Sequence, residues 1–195
     1  VGRSADILWR ALRDLPRTGI RLLDVACGGG DVLVALARRA RRHGYAWQFT
    51  GVDKSETALR LAAENAARQR VPLQFETVDV LAGGLPTGYD VVVCSLFLHH
   101  LSSDDAIAFL ANAADVAQRR LLVSDLRRTR ANYWLTQLGC RLLTRSPVVH
   151  KDGPLSIRAA FTIAEAKQLA AQAGRTDARV EPRFPARWLL RWSRR

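Results

Sequence analysis

Residues 22 to 34 read LLDVACGGGDVLV, and this stretch decides the fold. An apolar run ends at Asp24, a loop of small residues follows at 26–30, and a helical pattern begins at Asp31. This order predicts a strand, a tight turn and a helix, which together bring backbone N–H groups close to a bound cofactor. A second apolar run, FTGVD, ends at Asp53, and an acid at that distance from the loop is placed to bind ribose hydroxyls.

The glycines of this loop do not have the spacing of a dinucleotide-binding fingerprint. A G-x-G-x-x-G pattern that starts at Gly28 needs a glycine at the position that Leu33 occupies. A carboxylate at Asp24 would also repel a pyrophosphate, whereas it suits a ligand that carries positive charge. S-adenosylmethionine has a sulfonium and an ammonium group, so it fits this loop better than a nicotinamide cofactor does.

The loop resembles the first motif of the class I S-adenosylmethionine-dependent methyltransferases, which is an apolar strand, an acidic residue and then G-x-G-x-G. Ala26 stands at the first glycine of that motif, a mild change because alanine is also small. Three later segments resemble the third, fourth and fifth strands of the family, each with the turn that follows: FETVDVL at 75–81, YDVVVCSLFLHHL at 89–101 and RRLLVSDL at 119–126. The resemblance covers roughly residues 20 to 126.

The resemblance implies which residues would hold S-adenosylmethionine and release S-adenosylhomocysteine. Asp79 would meet the adenine amino group, and the backbone N–H of Val80 would meet a ring nitrogen. The full set of predicted cofactor-binding residues is Asp24, Ala26, Cys27, Gly28, Gly30, Asp53, Lys54, Asp79, Val80, Ser95 and Leu96. No His or Cys spacing indicates a metal site.

Two histidines, His99 and His100, follow the fourth predicted strand, near where a methyl donor would point. Methyl transfer to a phenol or an enol requires loss of a proton, and a histidine with an ordinary pKa of about 6.5 can accept it near neutral pH. His100 is the first candidate for the base, because the corresponding family position is more often histidine. Alternatively, the histidines line the pocket or cap the next helix, and catalysis rests on proximity and alignment.

Residues 127–160 interrupt the alternation of strands and helices and contain a predicted helix over 131–144. This insertion is expected to lie over the site opening as a substrate lid. Asp125, just before it, is either a substrate contact or a cap. The candidate substrate contacts are Tyr133, Trp134, His150 and Arg158, although core packing or an exposed loop would explain these residues equally well.

The whole pattern predicts an α/β fold, a three-layer Rossmann-like sandwich whose seven-stranded sheet is mostly parallel and ends in a C-terminal antiparallel hairpin. We expect a single domain over residues 1–195. The predicted strands are 20–26, 47–53, 73–78, 89–95 and 120–125, followed by two closing strands, and the predicted helices are 4–14, 31–42, 56–70, 103–117 and 163–173. Four candidate residues then lie at the carboxyl ends of predicted strands, which would bring them to one edge of the sheet: Asp24, Asp53, Asp79 and Ser95.

The chain is strongly basic, with a formal net charge of +12. A solvated basic surface explains this charge, and so would attraction to nucleic acid or to an anionic membrane. Trp188 and Trp192, with the arginines around them, would suit a membrane-surface anchor, but the alternation of side chains in a closing strand explains this segment at least as well. Three scattered cysteines and the lack of a long apolar run favour a reducing, cytoplasmic location.

These observations favour a methyltransferase that acts on a small, aromatic or lipophilic hydroxylated acceptor, by O- or C-methylation. The chain is similar to bacterial methyltransferases of quinone, phenol and polyketide-type secondary metabolism. One alternative is an RNA or protein methyltransferase, although the Asn/Asp-Pro-Pro-aromatic box of many nucleic-acid N-methyltransferases is absent and CSLF stands there at 94–97. Another is a non-catalytic cofactor-binding protein of the same fold. The oligomeric state does not follow from the sequence.

Overall fold

The computed structural model describes residues 2–82, 84–129 and 158–194. In chain order, the strands are β1 Thr18–Val25, β2 Ala46–Asp53, β3 Gln74–Thr77, β4 Tyr89–Ser95, β5 Ala117–Leu126, β6 Arg179–Arg183 and β7 Arg187–Ser193. The helices among the described residues are α1 Gly2–Leu12, α2 Asp31–Arg42, α3 Glu56–Arg68, α4 Ser103–Val116 and α5 Ile163–Gln172, with a short 3-10 turn at Leu98–His100.

The seven strands form one sheet in the order β3-β2-β1-β4-β5-β7-β6. The first five strands are parallel to one another, and β7 runs antiparallel between β5 and β6. This arrangement confirms the predicted fold class, including the closing hairpin. Strand order reverses between β1 and β4, and ligands of open α/β sheets bind beyond the carboxyl ends of the strands at such a point.

The central strands are apolar because both faces of the sheet are covered. In β4 the side chains alternate between two cores: Val91 and Val93 pack with α1 and α2, whereas Val92 and Cys94 pack with α4 and α5. All four are fully buried. The carboxyl ends of the parallel strands, which we call the site edge, are therefore supported by a hydrophobic core on each face of the sheet.

Side chains cap the starts of two helices that position the site. The Ser55 hydroxyl accepts a hydrogen bond from the Ala58 N–H at 3.2 Å, and Thr162 and Glu165 form a reciprocal capping box at the start of α5. The first helix begins at Gly2, two residues before the predicted start.

The predicted helix over 131–144 and most of the predicted lid at 127–160 lie outside the described residues. Within the described part of the chain, no helix is both long enough and apolar enough to cross a bilayer.

Candidate functional site

The loop between β1 and α2 combines three residues in the left-handed backbone region. Ala26, Gly28 and Gly30 have φ angles of 54°, 53° and 71°. A Cβ on Gly30 would stand 2.8 Å from the Ala62 Cβ, so the close approach of this loop to α3 requires glycine there. A Cβ on Gly28 would meet nothing within 4 Å. Gly30 therefore serves packing, whereas Gly28 presents its backbone to open space.

Asp53 ties this loop to the carboxyl end of β2. Its Oδ2 accepts a hydrogen bond from the Gly28 N–H at 2.9 Å, and its Oδ1 accepts one from the Ser55 N–H at 3.0 Å. These two bonds fix the orientation of the carboxylate. Each oxygen keeps a further lone pair with which to accept a hydrogen bond from a ligand hydroxyl.

Gly51, which the sequence did not single out, allows the glycine loop to fold against β2. A Cβ at this position would lie 2.8 Å from the Cys27 Sγ. Burial, with the neighbouring Asp24 and Asp53 carboxyls, raises the pKa of the Cys27 thiol well above its usual range. Cys27 is therefore a protonated packing residue rather than a nucleophile.

Asp24 is 1% exposed, and neither of its carboxyl oxygens has a hydrogen-bond partner. Burial, reinforced by the charge of Asp53, raises the pKa of Asp24 to about 8. The sequence suggested a carboxylate that is charged at rest, but in the ligand-free chain this group is mainly protonated at neutral pH. An unpartnered buried carboxyl of this kind is completed by a ligand that brings a positive charge or hydrogen-bond donors.

A cavity of about 350 Å³ opens beyond the carboxyl ends of the central strands. Seven residues predicted for cofactor binding or catalysis line it together with four apolar neighbours that the sequence did not single out. The predicted ones are Ala26, Asp53, Lys54, Asp79, Val80, Leu96 and His100, and the apolar ones are Val78, Leu81, Phe97 and Leu101. The apolar lining residues could have been identified from the sequence, because each lies close along the chain to Asp79 or His100.

The other predicted residues are not among those lining this cavity. Gly30 and Cys27 lie in the packing beneath the loop, and Asp24 is enclosed at the end of β1. Ser95 ends β4 and is half-buried. Gly28 and His99 each contact a carboxylate instead, Asp53 and Asp125.

Local hydrogen bonds fix the backbone at two residues of the cavity, Asp79 and Leu96. The Asp79 Oδ1 accepts a hydrogen bond from the Leu81 N–H at 3.0 Å, which closes the turn after β3. Leu96 has a φ angle of 57° although it is not glycine, and its N–H donates to the Ser124 carbonyl at 3.0 Å. Such strained residues cluster at functional sites, and both Leu96 and Ala26 line this cavity.

The two histidines occupy different environments. His99 is buried, and its Nδ1 lies 2.7 Å from the Oδ1 of Asp125, itself 1% exposed. Backbone N–H groups of His99 and Leu126 also donate to that carboxyl, at 3.1 and 2.6 Å. Asp125 therefore anchors the turn that carries both histidines, a role that the sequence did not identify.

His100 is the histidine that faces the cavity. Its ring centroid is 4.0 Å from that of His99. Partial burial, and then the proximity of His99, lowers the pKa of His100 from its ordinary value. His100 is therefore neutral at physiological pH and able to accept a proton.

Of the predicted substrate contacts, Tyr133, Trp134 and His150 lie outside the described residues. Arg158 is exposed, and its carbonyl accepts a hydrogen bond from the Arg128 Nη1 at 3.4 Å. No group of three or more His, Cys, Asp or Glu side chains that could hold a metal ion occurs among residues 2–82, 84–129 and 158–194.

Of the two interpretations of Trp188 and Trp192, the structure fits alternation within a closing strand, because both residues lie in β7. Trp188 is fully buried in the core between the sheet and its covering helices. Trp192 is half-buried and packs between the guanidinium groups of Arg175 and Arg194, at 5.1 and 5.8 Å from its ring centroid. The alternation of side chains along β7 turns the first tryptophan inward, so it does not reach a membrane.

Comparisons with known proteins agree with this geometry. The profile of the family described as a methyltransferase domain matches residues 22–120. Ubiquinone biosynthesis O-methyltransferases from Aeromonas salmonicida and Alkalilimnicola ehrlichii are 32% identical over 130 residues and 34% identical over 128 residues. The alignments cover 65% and 64% of this chain and 52% and 49% of those proteins, so the chain spans about half the length of the curated relatives it matches.

Among solved structures, the chain is similar to magnesium protoporphyrin IX methyltransferase from Synechocystis PCC 6803 with bound S-adenosylhomocysteine. The TM-score is 0.70 at 21% identity, and the match covers 100% of this chain and 83% of that one. The family profile spans half of the present chain and includes the glycine loop, Asp53 and both histidines. The chain therefore belongs to the methyltransferase domain family, and its fold is that of the class I S-adenosylmethionine-dependent methyltransferases.

Proposed function

We propose that this chain binds S-adenosylmethionine in the cavity at the carboxyl ends of β1 and β4 and methylates a hydroxyl oxygen of a small, aromatic or lipophilic acceptor. The strongest support for this proposal is that residues from four segments of the chain line one cavity. These residues are Ala26, Asp53, Asp79, and Leu96 with His100. All of them lie within residues 22–120, the part of the chain that the family profile matches.

The carboxylate of Asp53 suits the ribose hydroxyls of the cofactor. The N–H groups of Gly28 and Ser55 hold both of its oxygens in place while leaving each oxygen able to accept another hydrogen bond. Asp79 and Val80 line the same cavity, where the Asp79 carboxylate and the Val80 backbone would hold the adenine. We assign the binding of the nucleoside part to these residues.

The buried carboxyl of Asp24 suits the cationic part of the cofactor. Its two oxygens have no partner in the ligand-free chain, and Asp24 lies close enough to Asp53 for the charge to matter. A nearby positive charge stabilises the ionised carboxyl, so binding at neutral pH should release a proton. We assign to Asp24 the stabilisation of the ammonium-bearing end.

His100 is positioned to remove the proton of the acceptor. The bound cofactor supplies an electrophilic methyl group on a sulfonium sulfur, and the attacking hydroxyl has to lose its proton as the new bond forms. His100 faces the cavity and is neutral near physiological pH, which are the two requirements for a general base. The Asp125–His99 pair behind it holds the turn in place.

The class of acceptor rests on the chemistry of the cavity wall and on relatives. Val78, Phe97 and Leu101 give the cavity an apolar side next to His100, which suits a flat or lipophilic molecule that carries one reactive hydroxyl. The relatives from Aeromonas salmonicida and Alkalilimnicola ehrlichii are O-methyltransferases of ubiquinone biosynthesis. Both points favour a phenol or a quinol.

The first experiment is isothermal titration calorimetry of the purified chain with S-adenosylhomocysteine, with NADH as the control ligand. We expect micromolar binding of S-adenosylhomocysteine and no heat from NADH. Folded protein, verified by circular dichroism, that binds neither ligand would overturn the proposal.

The second experiment is an acceptor screen with S-adenosylmethionine and a panel of phenols and quinols, read by mass spectrometry of the products. Fragmentation distinguishes a methyl ether from methylation at a ring carbon. Exclusive ring methylation would correct the acceptor atom and keep the cofactor site. Cofactor binding without turnover on any acceptor would favour a binding protein.

A further inference from the structure

A basic groove, separate from the cavity, runs between α1 and the β6–β7 hairpin. We call it the arginine groove, a space of about 340 Å³ whose lining residues are Ile7, Arg10, Ala11, Arg179, Glu181, Arg183, Leu189 and Arg191. A second space of about 320 Å³ shares Ile7, Arg10 and Arg183 with it and extends to Arg3, Asp6 and Phe184. The two spaces are therefore adjacent, and arginine side chains and a few apolar residues line both of them.

The positive charge of this groove exceeds its negative charge, because four arginines and one acid, Glu181, line its space. Within the described part of the chain, Arg10, Arg179 and Arg191 form no ion pair, although Arg179 and Arg191 lie close enough to Glu181 to help lower the pKa of its carboxyl. The carboxylate of Glu181 pairs with Arg183 at 2.5 Å, and Asp6 pairs with Arg39 at 2.6 Å. Unpaired guanidinium groups in one concavity attract phosphate-bearing anions.

An exposed aromatic ring marks one end of the arginine groove. Phe184 is 87% exposed and is the most exposed of the large hydrophobic side chains that the structure describes. The guanidinium carbon of Arg3 lies 5.8 Å from its ring centroid. A bare phenyl ring beside arginines is the combination by which peripheral proteins enter the headgroup region of a bilayer.

The hairpin tip lies on the same edge of the sheet as the catalytic cavity. Arg187, the first residue of β7, pairs with Leu126, the last residue of β5, and the Arg127 N–H donates to the Ala186 carbonyl at 2.8 Å. β7 is the second strand from β4, so at the usual strand spacing the tip stands about 10 Å from the end of β4. A surface that contacts Phe184 therefore comes close to the carboxyl ends of the parallel strands.

From these observations we propose that the arginine groove and Phe184 dock this chain on an anionic lipid bilayer, with phosphate headgroups in the groove and the phenyl ring in the interface. The proposal does not require methyl transfer. It would, however, turn the site edge toward the phase in which a lipophilic acceptor dissolves. A single exposed ring at the end of the groove suits a bilayer surface better than a nucleic acid strand, which would use several stacking platforms.

The test is co-sedimentation with vesicles of phosphatidylcholine alone and with vesicles that also contain phosphatidylglycerol. We expect binding only to the anionic vesicles, with a loss of about fivefold for each groove arginine removed. The double variant Arg10→Gln/Arg191→Gln is compared with Arg60→Gln/Arg68→Gln on α3, which loses the same charge from exposed positions. Phe184→Ser, expected to weaken binding about tenfold, is compared with Leu61→Ser, because Leu61 is 51% exposed.

Equal losses for each variant and its control would show that net charge alone drives the binding and would overturn the proposal, as would a lack of binding by the unmodified chain. Binding of polyuridylate that depends on Arg10 and Arg191, without such dependence for vesicles, would assign the groove to nucleic acid instead. Titration of each variant with S-adenosylhomocysteine separates this outcome from the proposed function, because we expect the cofactor affinity to stay unchanged.

Discussion

The two halves of the candidate site are built differently. The half formed by β1 and β2 consists mainly of backbone: a loop with left-handed residues and a carboxylate that is held by two N–H groups. The half formed by β4 and β5 consists of side chains that meet across the sheet, with His99 on Asp125 and His100 in front of them. The first half fits a cofactor that many enzymes share, whereas the second can change with the acceptor.

The sharpest way to separate the halves is to remove His100. We expect His100→Ala to lower turnover by about a hundredfold or more, because a general base contributes at least that factor. The affinity for S-adenosylhomocysteine should stay within about twofold in calorimetry. His43→Ala, a change at another exposed histidine, serves as the control. Normal turnover of His100→Ala would mean that His100 lines the cavity without acting as a general base.

The packing of the glycine loop against α3 can be disrupted by a substitution at Gly30. Gly30→Ala should lower the free energy of unfolding by about 3 kcal/mol, because it adds both left-handed strain and a clash with Ala62. Gly28→Ala adds only the strain, about 1–2 kcal/mol, because nothing lies within 4 Å of its Cβ position. Urea denaturation compares the two, and equal losses would contradict the packing role of Gly30.

The contact of the cofactor half with ribose can be tested at Asp53. Asp53→Ala should weaken the binding of S-adenosylhomocysteine by about 1.5–3 kcal/mol, the usual value of hydrogen bonds to a charged acceptor. Asp31→Ala, which removes a nearby acid that pairs with Asn65 on the helix surface, should leave the affinity unchanged. Calorimetry measures both variants. If Asp53→Ala bound as tightly as the unmodified chain, Asp53 would have no place in the site.

The buried Asp24 should make stability depend on pH. The native state holds a proton that the unfolded chain, with an ordinary pKa of 3.8, gives up, and burial raises the native pKa to about 8. The free energy of unfolding should therefore fall as the pH rises between these values, by at most about 1.4 kcal/mol per unit, and then level off. Asp24→Asn should flatten this slope in urea denaturation. Parallel profiles for the two proteins would contradict the protonated state of Asp24.

The smallest expected effect is a gain in stability from a substitution at Ala26. This residue has a φ angle of 54°, a conformation that costs a non-glycine residue about 1–2 kcal/mol. Ala26→Gly should raise the free energy of unfolding by roughly 0.5–1 kcal/mol, since the greater freedom of glycine in the unfolded chain offsets part of the relief. Thermal denaturation would measure the change. A loss of stability would mean that the alanine methyl group packs productively.

The cofactor half was largely predictable from sequence, because its parts are local. A glycine loop after an apolar run and acids at the ends of strands are visible as short patterns, and parallel strands bring their ends together. The pairing of His99 with Asp125 was not predictable in this way. It joins residues 26 positions apart and depends on the register that sets Ser95 beside Ser124. The protonation of Asp24 depends on its complete enclosure, which only the packed structure shows.

The exposure of Phe184 and the burial of Trp188 also follow from the packed structure and not from the local sequence. Both are aromatic residues next to arginines in the closing hairpin, so composition alone treats them alike. The register of β7 against β5 turns Trp188 into the core, whereas Phe184 precedes the strand and stands at the tip. Orientation within a short strand, rather than residue type, decides which ring reaches the outside.

The hydrogen bonds that flank the segment after β5 have a consequence for how this enzyme scaffold can diversify. The Arg128 N–H donates to the Phe161 carbonyl at 3.2 Å, and the Arg128 side chain pairs with Glu165 at the start of α5. These contacts hold residues 128 and 161 next to one another. Because the entropy of loop closure grows only slowly with length, we expect the sheet to survive exchange of the intervening residues for a segment of another length. The predicted lid falls between these two points, so such an exchange would test whether acceptor specificity can be transplanted.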